Sequence, residues 1–424
     1  MQMYELSFKE VAEKYPDFPR LVLRKIDTAL RGIIPTEKAL ERAKEEGALY
    51  EVSAGKTSKP GFLCGAVFRD GTWLLGLETF LQCLPSRIMR RGNPYTLDVV
   101  SGKLYLVDDG EPLEEVHLVP VPKYYAKKTS RGKPMSEVVT SRFPNSLAIT
   151  VLHCYYDEKE NADEAPPCKF CFYATPSFRR KEENYTRENL EDLHQTINEA
   201  LEEEGRWKSI YLVGGSDPRG GSPYEKEVEE CLKVLETIEK CSGGEKIFVQ
   251  AIASAFPREQ LLRLKEAGLT AYNSNIEVWD EKLFQWVCPG KAKYFGRQYW
   301  IDCILSAVEI FGQGNVSTQI VAGVELAQPY GFKNTEEALA SNLECAEFFG
   351  RYGVHTNFCI LLLGEGSIFY QEKQKLPPLE YCVRLAKDFN EIRRKHKLNV
   401  GFQDYRRWPN FPDTDLARLD YSEV

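Results

Sequence analysis

The sequence lacks several features that would place it in common protein classes. No apolar run approaches the ~20 residues that a membrane-spanning helix needs, and the amino-terminal MQMYELSFKEVAEKYPDF has no signal-peptide pattern. Basic residues are not in excess, since 55 Lys and Arg face 63 Asp and Glu and the net charge is −8. That charge argues against nucleic acid or an anionic membrane as the main partner. Internal repeats and low-complexity segments are also missing. We therefore expect a soluble, cytoplasmic protein.

The chain has 424 residues, which is too long for one ordinary core. Two domains, or one large barrel with an extension, are expected. Without a secretion signal, its 12 cysteines indicate reduced thiols and cluster ligands rather than a disulfide framework. Four of them fall on helical patterns and are expected to be small buried hydrophobes: Cys231, Cys303, Cys345 and Cys382.

Three other cysteines form the most informative pattern in the chain. Cys154 follows an apolar run at 147–152, and after thirteen residues the chain continues with Cys168 and Cys171 in Cys-Lys-Phe-Cys. Three thiolates at the mouth of a strand can hold three irons of a [4Fe–4S] cluster and leave the fourth iron open. An open iron binds a substrate or cosubstrate, so the pattern indicates chemistry.

Two alternatives remain for these cysteines. A structural zinc site needs four closed ligands, and His153 is next to Cys154 on a strand, so its side chain should point to the opposite face. A disulfide between Cys168 and Cys171 would fit a redox motif. The iron–sulfur interpretation is favoured over both.

From residue 147 onward, short apolar runs alternate with longer amphipathic ones. This alternation predicts a parallel sheet, as a barrel or an incomplete barrel, with the active site in the loops after the strands. The predicted strands are 147–152, 210–213, 247–252, 270–276, 317–322, 356–363 and 399–403. The predicted helices are 188–204, 225–239, 258–267, 298–311, 335–352 and 379–396. We assign residues 1–140 to a small α+β extension, 141–410 to the barrel and 411–424 to a carboxy-terminal tail.

Two further loops carry candidate binding groups. After the second predicted strand, Gly214 and Gly215 would let a ligand approach the backbone, and Ser216 and Asp217 could bind an ammonium or hydroxyl group. A plain tight turn is the alternative. In the fourth strand, residues 273, 275 and 277 alternate along one face and are Asn, Asn and Glu. Buried polar groups need partners, which a ligand would supply; an exposed edge strand is the alternative.

The cysteine loop, the Gly-Gly turn and LKEAGLTAYNSNIE together resemble the radical S-adenosylmethionine (SAM) superfamily, most closely its biotin synthase-like branch. The resemblance covers residues 146 to about 405 and implies a partial or full (β/α) barrel. It implies that Cys154, Cys168 and Cys171 bind a [4Fe–4S] cluster. The residues it implies for SAM are Phe170, Gly214, Gly215, Ser216, Asp217, Asn275, Glu277, Arg297 and Gly323.

The chain departs from the family pattern at two places. The usual Cys-x3-Cys spacing is thirteen residues here, which costs little because loop-closure entropy grows only logarithmically with length. The family's Gly-Gly-Glu is Gly-Gly-Ser here, so the acid that meets the methionine ammonium must be Asp217 or be replaced.

The resemblance implies an enzyme that cleaves SAM reductively and abstracts hydrogen from a small molecule with a 5′-deoxyadenosyl radical. It implies a one-electron reductant such as flavodoxin or ferredoxin. Rearrangement, carbon–carbon bond chemistry or group transfer in cofactor or natural-product biosynthesis is favoured; sulfur insertion with a second cluster, or a non-catalytic iron–sulfur or zinc module, remains open. The substrate candidates are Gln319, Asn357, Gln403 and Tyr405.

Overall fold

The protein is described by a computed structural model. It covers residues 5–50, 62–63, 65–74, 89–141, 145–157, 166–172, 189–243, 246–400, 404, 406–407 and 411–419.

The amino-terminal region contains three helices and a five-stranded sheet. The helices are α1 (Phe8–Lys14), α2 (Arg20–Arg31) and α3 (Glu37–Glu45). The strands are β1 (Ile33–Pro35), β2 (Leu49–Tyr50), β3 (Phe62–Leu63), β4 (Ala66–Phe68), β5 (Tyr95–Val100), β6 (Lys103–Asp108) and β7 (Glu111–Leu118). The sheet order is β1-β5-β6-β7-β4, and β2 pairs with β3 separately. The β5–β6 turn is the predicted Ser101-Gly102 hairpin, with φ of 50° and 81°.

The second sheet holds the candidate site. Its strands are β8 (Thr140–Ser141), β9 (Ser146–Thr150), β10 (Ser209–Val213), β11 (Val249–Ile252), β12 (Ala271–Asn273), β13 (Val316–Ala322) and β14 (His355–Ile360). Strands β9 to β14 are parallel and adjacent in chain order, with the short β8 antiparallel at the edge. The sheet curls into a partial (β/α) barrel, as the strand–helix alternation predicts.

Helices connect the barrel strands and cover their outer face. They are α4 (Met135–Val138), α5 (Leu190–Leu201), α6 (Glu225–Cys241), α7 (Arg258–Glu266), α8 (Glu281–Val287), α9 (Pro289–Tyr294), α10 (Gly296–Phe311), α11 (Thr335–Arg351), α12 (Ile368–Gln371), α13 (Leu379–Lys395) and α14 (Thr414–Leu419). Short 3₁₀ turns lie at Lys123–Ala126, Tyr155–Asp157 and Val324–Leu326. The four cysteines predicted to be small core residues are all buried, on α6, α10, α11 and α13. No described helix is both long and apolar enough to cross a membrane.

Most of the predicted strands are observed, with shifted ends. The strand predicted at 270–276 is shorter, because β12 ends at Asn273. The chain returns to the sheet at Glu277, whose N–H donates to the Gln319 carbonyl over 2.9 Å and whose φ is 66°. The seventh predicted strand is not observed at residues 399–400, and 401–403 lie outside the described residues.

The carboxy-terminal segment is part of the packed molecule. Phe411 is 1% exposed and lies in a cluster with Ala148 and Tyr211 on the inner face of the barrel. The carboxylate of Asp415 pairs with Lys25 of α2 over 2.7 Å and with Arg407 over 2.7 Å. These buried ion pairs join the amino-terminal region to the end of the chain, and the division into three regions stays a prediction.

Candidate functional site

Cys154 lies just beyond the carboxyl end of β9 and is half-buried. Burial raises the pKa of its thiol, and Asp157 raises it further, while the Ser216 backbone N–H donates to the sulfur and lowers it. The Tyr155 N–H donates to the Ser216 carbonyl over 2.8 Å. The loop after β10 is thereby bonded directly to the loop after β9, as expected for neighbouring parallel strands.

Gly215 allows this close approach of the two loops. A Cβ atom at this position would lie 2.1 Å from the Cα of Cys154, so no side chain fits. A Cβ at Gly214 would lie 3.0 Å from the Leu152 carbonyl oxygen. The paired glycines are therefore required by the packing of the cysteine loop, a reason that the sequence pattern did not reveal.

A third segment, Cys-Pro-Gly-Lys at the α8–α9 junction, holds the Cys168–Cys171 turn. The Lys169 N–H donates to the Val287 carbonyl over 2.8 Å, and the Gly290 N–H donates to the Pro166 carbonyl over 3.1 Å. The thiol of Cys288 is hydrogen-bonded to Cys168. Sequence reasoning missed this role, because a Cys-Pro-Gly-Lys turn more than a hundred residues downstream has no local signature for it.

Glu277 and Lys291 form a buried ion pair beside these cysteines. Lys291 Nζ lies 2.9 Å from Glu277 Oε1, and the two side chains are 9% and 11% exposed. Burial alone lowers the pKa of Lys291, but Glu277, Cys168 and Cys288 outweigh it and raise that pKa. The predicted acid of strand four is thus placed near the predicted cluster ligand Cys168.

Asp217 is less available than the sequence suggests. Its carboxylate accepts two hydrogen bonds from the Arg219 guanidinium, at 2.8 and 2.6 Å. Directly behind the Gly-Gly turn lies Glu227, which accepts from the Ser254 hydroxyl over 2.7 Å and from the Asp217 N–H over 3.1 Å. Desolvation raises the pKa of Glu227 to about 7, although these hydrogen bonds lower it.

Comparison with known proteins agrees with this geometry. Residues 166–334 match the model of the radical SAM superfamily. The bacteriochlorophyllide c C-7(1)-hydroxylase of Chlorobaculum limnaeum is 23% identical over 249 residues, a match to 55% of this chain and 60% of that protein. The chain thus spans less than two thirds of this relative's length.

Two solved structures of low sequence identity also match this chain. A radical SAM methyltransferase from Sphaerobacter thermophilus is 14% identical, with a TM-score of 0.41 and 93% of each chain covered. Methylornithine synthase is 14% identical, with a TM-score of 0.38, 63% of this chain covered and 71% of the other.

This chain carries a radical SAM domain. Members of the superfamily use a [4Fe–4S] cluster and SAM. The donor chemistry fits the cluster, since three thiols lie at the carboxyl edge of the sheet. Among the described residues, no three His, Cys, Asp or Glu side chains are arranged as a ligand set.

The radical SAM domain also offers groups suited to SAM. The buried Oδ1 of Asn275 has no hydrogen-bond partner in the described part of the chain, and Asn275 lies between the end of β12 and Glu277. An amide oxygen of this kind can accept from a ribose hydroxyl. Phe170 lies in the Cys168–Cys171 turn and packs against the main core.

Two of the residues implied for SAM have other contacts in this radical SAM domain. Arg297 stacks over the Trp279 ring at 4.0 Å and donates to the Trp279 carbonyl. Gly323 has φ of 111°, and a Cβ there would lie 2.9 Å from Pro377. The positive φ and the close packing against the proline ring both favour glycine here. Their roles toward SAM stay predictions.

The substrate candidates fall on the inner face of the barrel where they are described. Gln319 of β13 pairs in register with Asn357 of β14, and Gln319 Nε2 lies 2.9 Å from Cys359 Sγ. Asn357 is 2% exposed. Gln403 and Tyr405 lie outside the described residues. The structure adds Gln250 and His355 to this face, which the sequence-based search overlooked because each sits singly in an apolar strand.

Proposed function

We propose that this protein is an enzyme that cleaves SAM to methionine and a 5′-deoxyadenosyl radical, which then abstracts a hydrogen atom from a small molecule. The observation that carries the proposal is the convergence of three segments distant in sequence. The Cys168 turn, the Cys-Pro-Gly-Lys segment and Glu277 contact one another at the carboxyl edge of the sheet. A non-catalytic metal module would leave the buried Oδ1 of Asn275, which has no partner among the described residues, without a purpose.

The cluster, when bound and reduced, supplies the single electron that breaks the sulfonium–carbon bond of SAM. We assign Cys154, Cys168 and Cys171 as its ligands. Lys291 holds the Glu277 carboxylate through their 2.9 Å contact, and Asn275 and Glu277 together bind SAM. The apolar helix-facing core keeps the strand ends rigid, so that SAM and substrate are held in contact and water is excluded.

The reaction that follows hydrogen abstraction is open to several chemistries. Rearrangement, carbon–carbon bond chemistry and group transfer in cofactor or natural-product biosynthesis fit the site. The curated relative is named as a hydroxylase of a bacteriochlorophyllide, so oxygenation of a substrate carbon joins them. Each requires one electron per SAM cleaved, which we assign to a flavodoxin- or ferredoxin-type donor.

Sulfur insertion is the less favoured alternative. It needs a second cluster as sulfur source, and Cys359 is the single cysteine among the inward positions of β9–β14, all of which the structure describes. Cys64 and Cys83 lie outside the described residues.

The decisive experiment is anaerobic reconstitution with iron and sulfide, followed by dithionite, SAM and an assay for 5′-deoxyadenosine. Wild type should form this nucleoside and hold about four irons per chain. Cys168→Ala should abolish both, whereas the matched control Cys345→Ala, a buried cysteine on α11, should keep both. About eight irons per chain would instead favour sulfur insertion. If Cys168→Ala formed as much 5′-deoxyadenosine as wild type, the proposal would be wrong.

A further inference from the structure

The inner face of the barrel carries buried polar side chains that the cofactor site does not use. Side chains alternate between the two faces of each strand, and Ala148 and Tyr211 mark the inner face through their contact with Phe411. Strand register extends that face across the sheet. Its polar residues, which we call the polar lumen, are Gln250, Asn273, Ser317, His355 and Asn357, each 3% exposed or less.

Most polar-lumen side chains have atoms without a hydrogen-bond partner among the described residues. These are Gln250 Oε1, Asn273 Oδ1, Asn357 Oδ1 and both ring nitrogens of His355. Gln250 donates to the Ser317 hydroxyl at the long distance of 3.5 Å. Buried polar atoms are nearly always paired in folded proteins because leaving them unpaired disfavours the folded state. Several unpaired polar atoms at one place indicate a ligand that supplies their hydrogen-bond partners.

The polar lumen is also uncharged. None of the inward positions on β9–β14, all of them described, holds Asp, Glu, Lys or Arg. Burial lowers the pKa of His355 well below its usual value, and Arg406 and Arg393 lower it further, so its imidazole is neutral. A neutral imidazole and rotatable amides can each donate and accept hydrogen bonds.

We propose that the polar lumen binds the part of the substrate that carries several hydroxyl or amide groups and no charge. This proposal rests on the proposed function and names its substrate class. A carboxylate or phosphate would find no unpaired cation there among the described residues, because the nearby Arg393 and Arg406 are paired with Asp413 and Asp404. An ammonium group would find no carboxylate on the inward strand positions, so either charge would be buried unpaired. A neutral polyol or amide supplies donors and acceptors without that penalty.

The test is saturation-transfer difference NMR on the reconstituted protein with SAM, using erythritol, acetamide, succinate and putrescine as separate probes. We expect erythritol or acetamide to bind and the two charged probes not to. Asn357→Leu should weaken the neutral probe about tenfold, the effect of one lost buried hydrogen bond. The same variant should raise the melting temperature, because it removes an unpaired buried oxygen.

Thr356→Val is the matched control. Thr356 precedes Asn357 on β14 and faces the opposite side, and its Oγ1 is likewise buried and unpartnered. This variant should also raise the melting temperature but leave probe binding unchanged. Binding of succinate or putrescine, a lower melting temperature for Asn357→Leu, or unchanged probe binding in that variant would each overturn the subsite. Assay of 5′-deoxyadenosine on the same sample separates this failure from failure of the proposed function.

Discussion

Lys291 connects two parts of the site at the scale of a single residue. Its ammonium group pairs with Glu277, fourteen residues earlier, and lies 4.5 Å from the centre of the Trp300 ring. The cation also lies close enough to Cys168 for that side chain to raise its pKa. It therefore offsets negative charge on both the proposed cluster ligand and the proposed SAM ligand.

Replacing Lys291 by Met should destabilise the protein and weaken SAM binding. Removing one partner of a buried pair leaves the other charge uncompensated, which costs about 3–5 kcal/mol of unfolding free energy. Denaturant unfolding and equilibrium dialysis with labelled SAM measure the two effects. The double variant Glu277→Gln, Lys291→Met should recover stability but not SAM affinity.

The matched control for this prediction is Lys293→Met, an exposed lysine on the same short helix. Its stability and SAM affinity should equal those of wild type. If the double variant bound SAM normally, Glu277 would have no part in the cofactor site.

Gly215→Ala should remove the cluster rather than unfold the chain. The new Cβ would meet the backbone of Cys154 at 2.1 Å, so the loop after β9 must shift and carry its thiol away. Iron content after reconstitution should fall well below about four per chain, with the circular dichroism spectrum unchanged. Gly221→Ala, where only the Glu225 carboxylate lies within reach at 3.3 Å, should load iron normally.

At the scale of elements, α6 anchors two of the loops that follow strands. Its Glu227 accepts from the Asp217 N–H in the loop after β10 and from the Ser254 N–H and hydroxyl in the loop after β11. The loop after β10 borders the cysteine loop through Gly215. The helix thus positions the backbone of the loop that carries Asp217, one of the residues implied for SAM.

This arrangement predicts a pH dependence of stability. The pKa of Glu227 rises from 4.5 to about 7 on folding, so the folded protein holds a proton that the unfolded chain releases between these values. Unfolding free energy should therefore fall as pH rises from 4.5 to 7, by about 3 kcal/mol for this group. Denaturant titrations of wild type and Glu227→Gln at several pH values measure this dependence. The variant should lack the fall in unfolding free energy, because glutamine does not titrate.

Glu229→Gln, an exposed change on the same helix, is the control and should keep the wild-type slope. A Glu227→Gln protein that retained the full slope would assign the titration to another group.

At the scale of the whole molecule, buried ion pairs connect the carboxy-terminal segment to the amino-terminal region and to the barrel. Asp415 pairs with Lys25 and Arg407, and Asp413 pairs with Arg393 of α13. In the same segment, Phe411 packs against Ala148 and Tyr211 of the barrel strands. The tail predicted at 411–424 is thus, in its described part, a structural element.

Asp415→Asn should lower the unfolding free energy by about 3–5 kcal/mol, because it leaves two buried cations without their carboxylate. Thermal and denaturant unfolding measure this. The control Glu391→Gln removes an exposed partner of Lys387 at 3.8 Å and should cost less than about 1 kcal/mol. Equal effects of the two variants would contradict a special role for the carboxy-terminal segment.

Local patterns predicted much of this molecule because their causes are local. Alternating apolar runs located β9, β10, β11, β13 and β14, since a strand buried on both faces needs continuous apolar residues whatever its partners. The end of β12 was misplaced by three residues, because the break after Asn273 depends on contacts between Glu277 and β13. Cysteine spacing likewise located the proposed metal ligands but not the segment that contacts them.

By itself, the sequence determined the strand–helix alternation, the placement of the three cysteines after the first barrel strand and the family that they indicate. Only the tertiary structure decided that Gly215 and the Cys-Pro-Gly-Lys segment enclose those cysteines, that Lys291 neutralises Glu277, and that His355 and its neighbours form one uncharged lumen. Periodicity records which face of an element is apolar. Contacts between residues far apart in the chain depend on strand register and curvature, which no local pattern encodes.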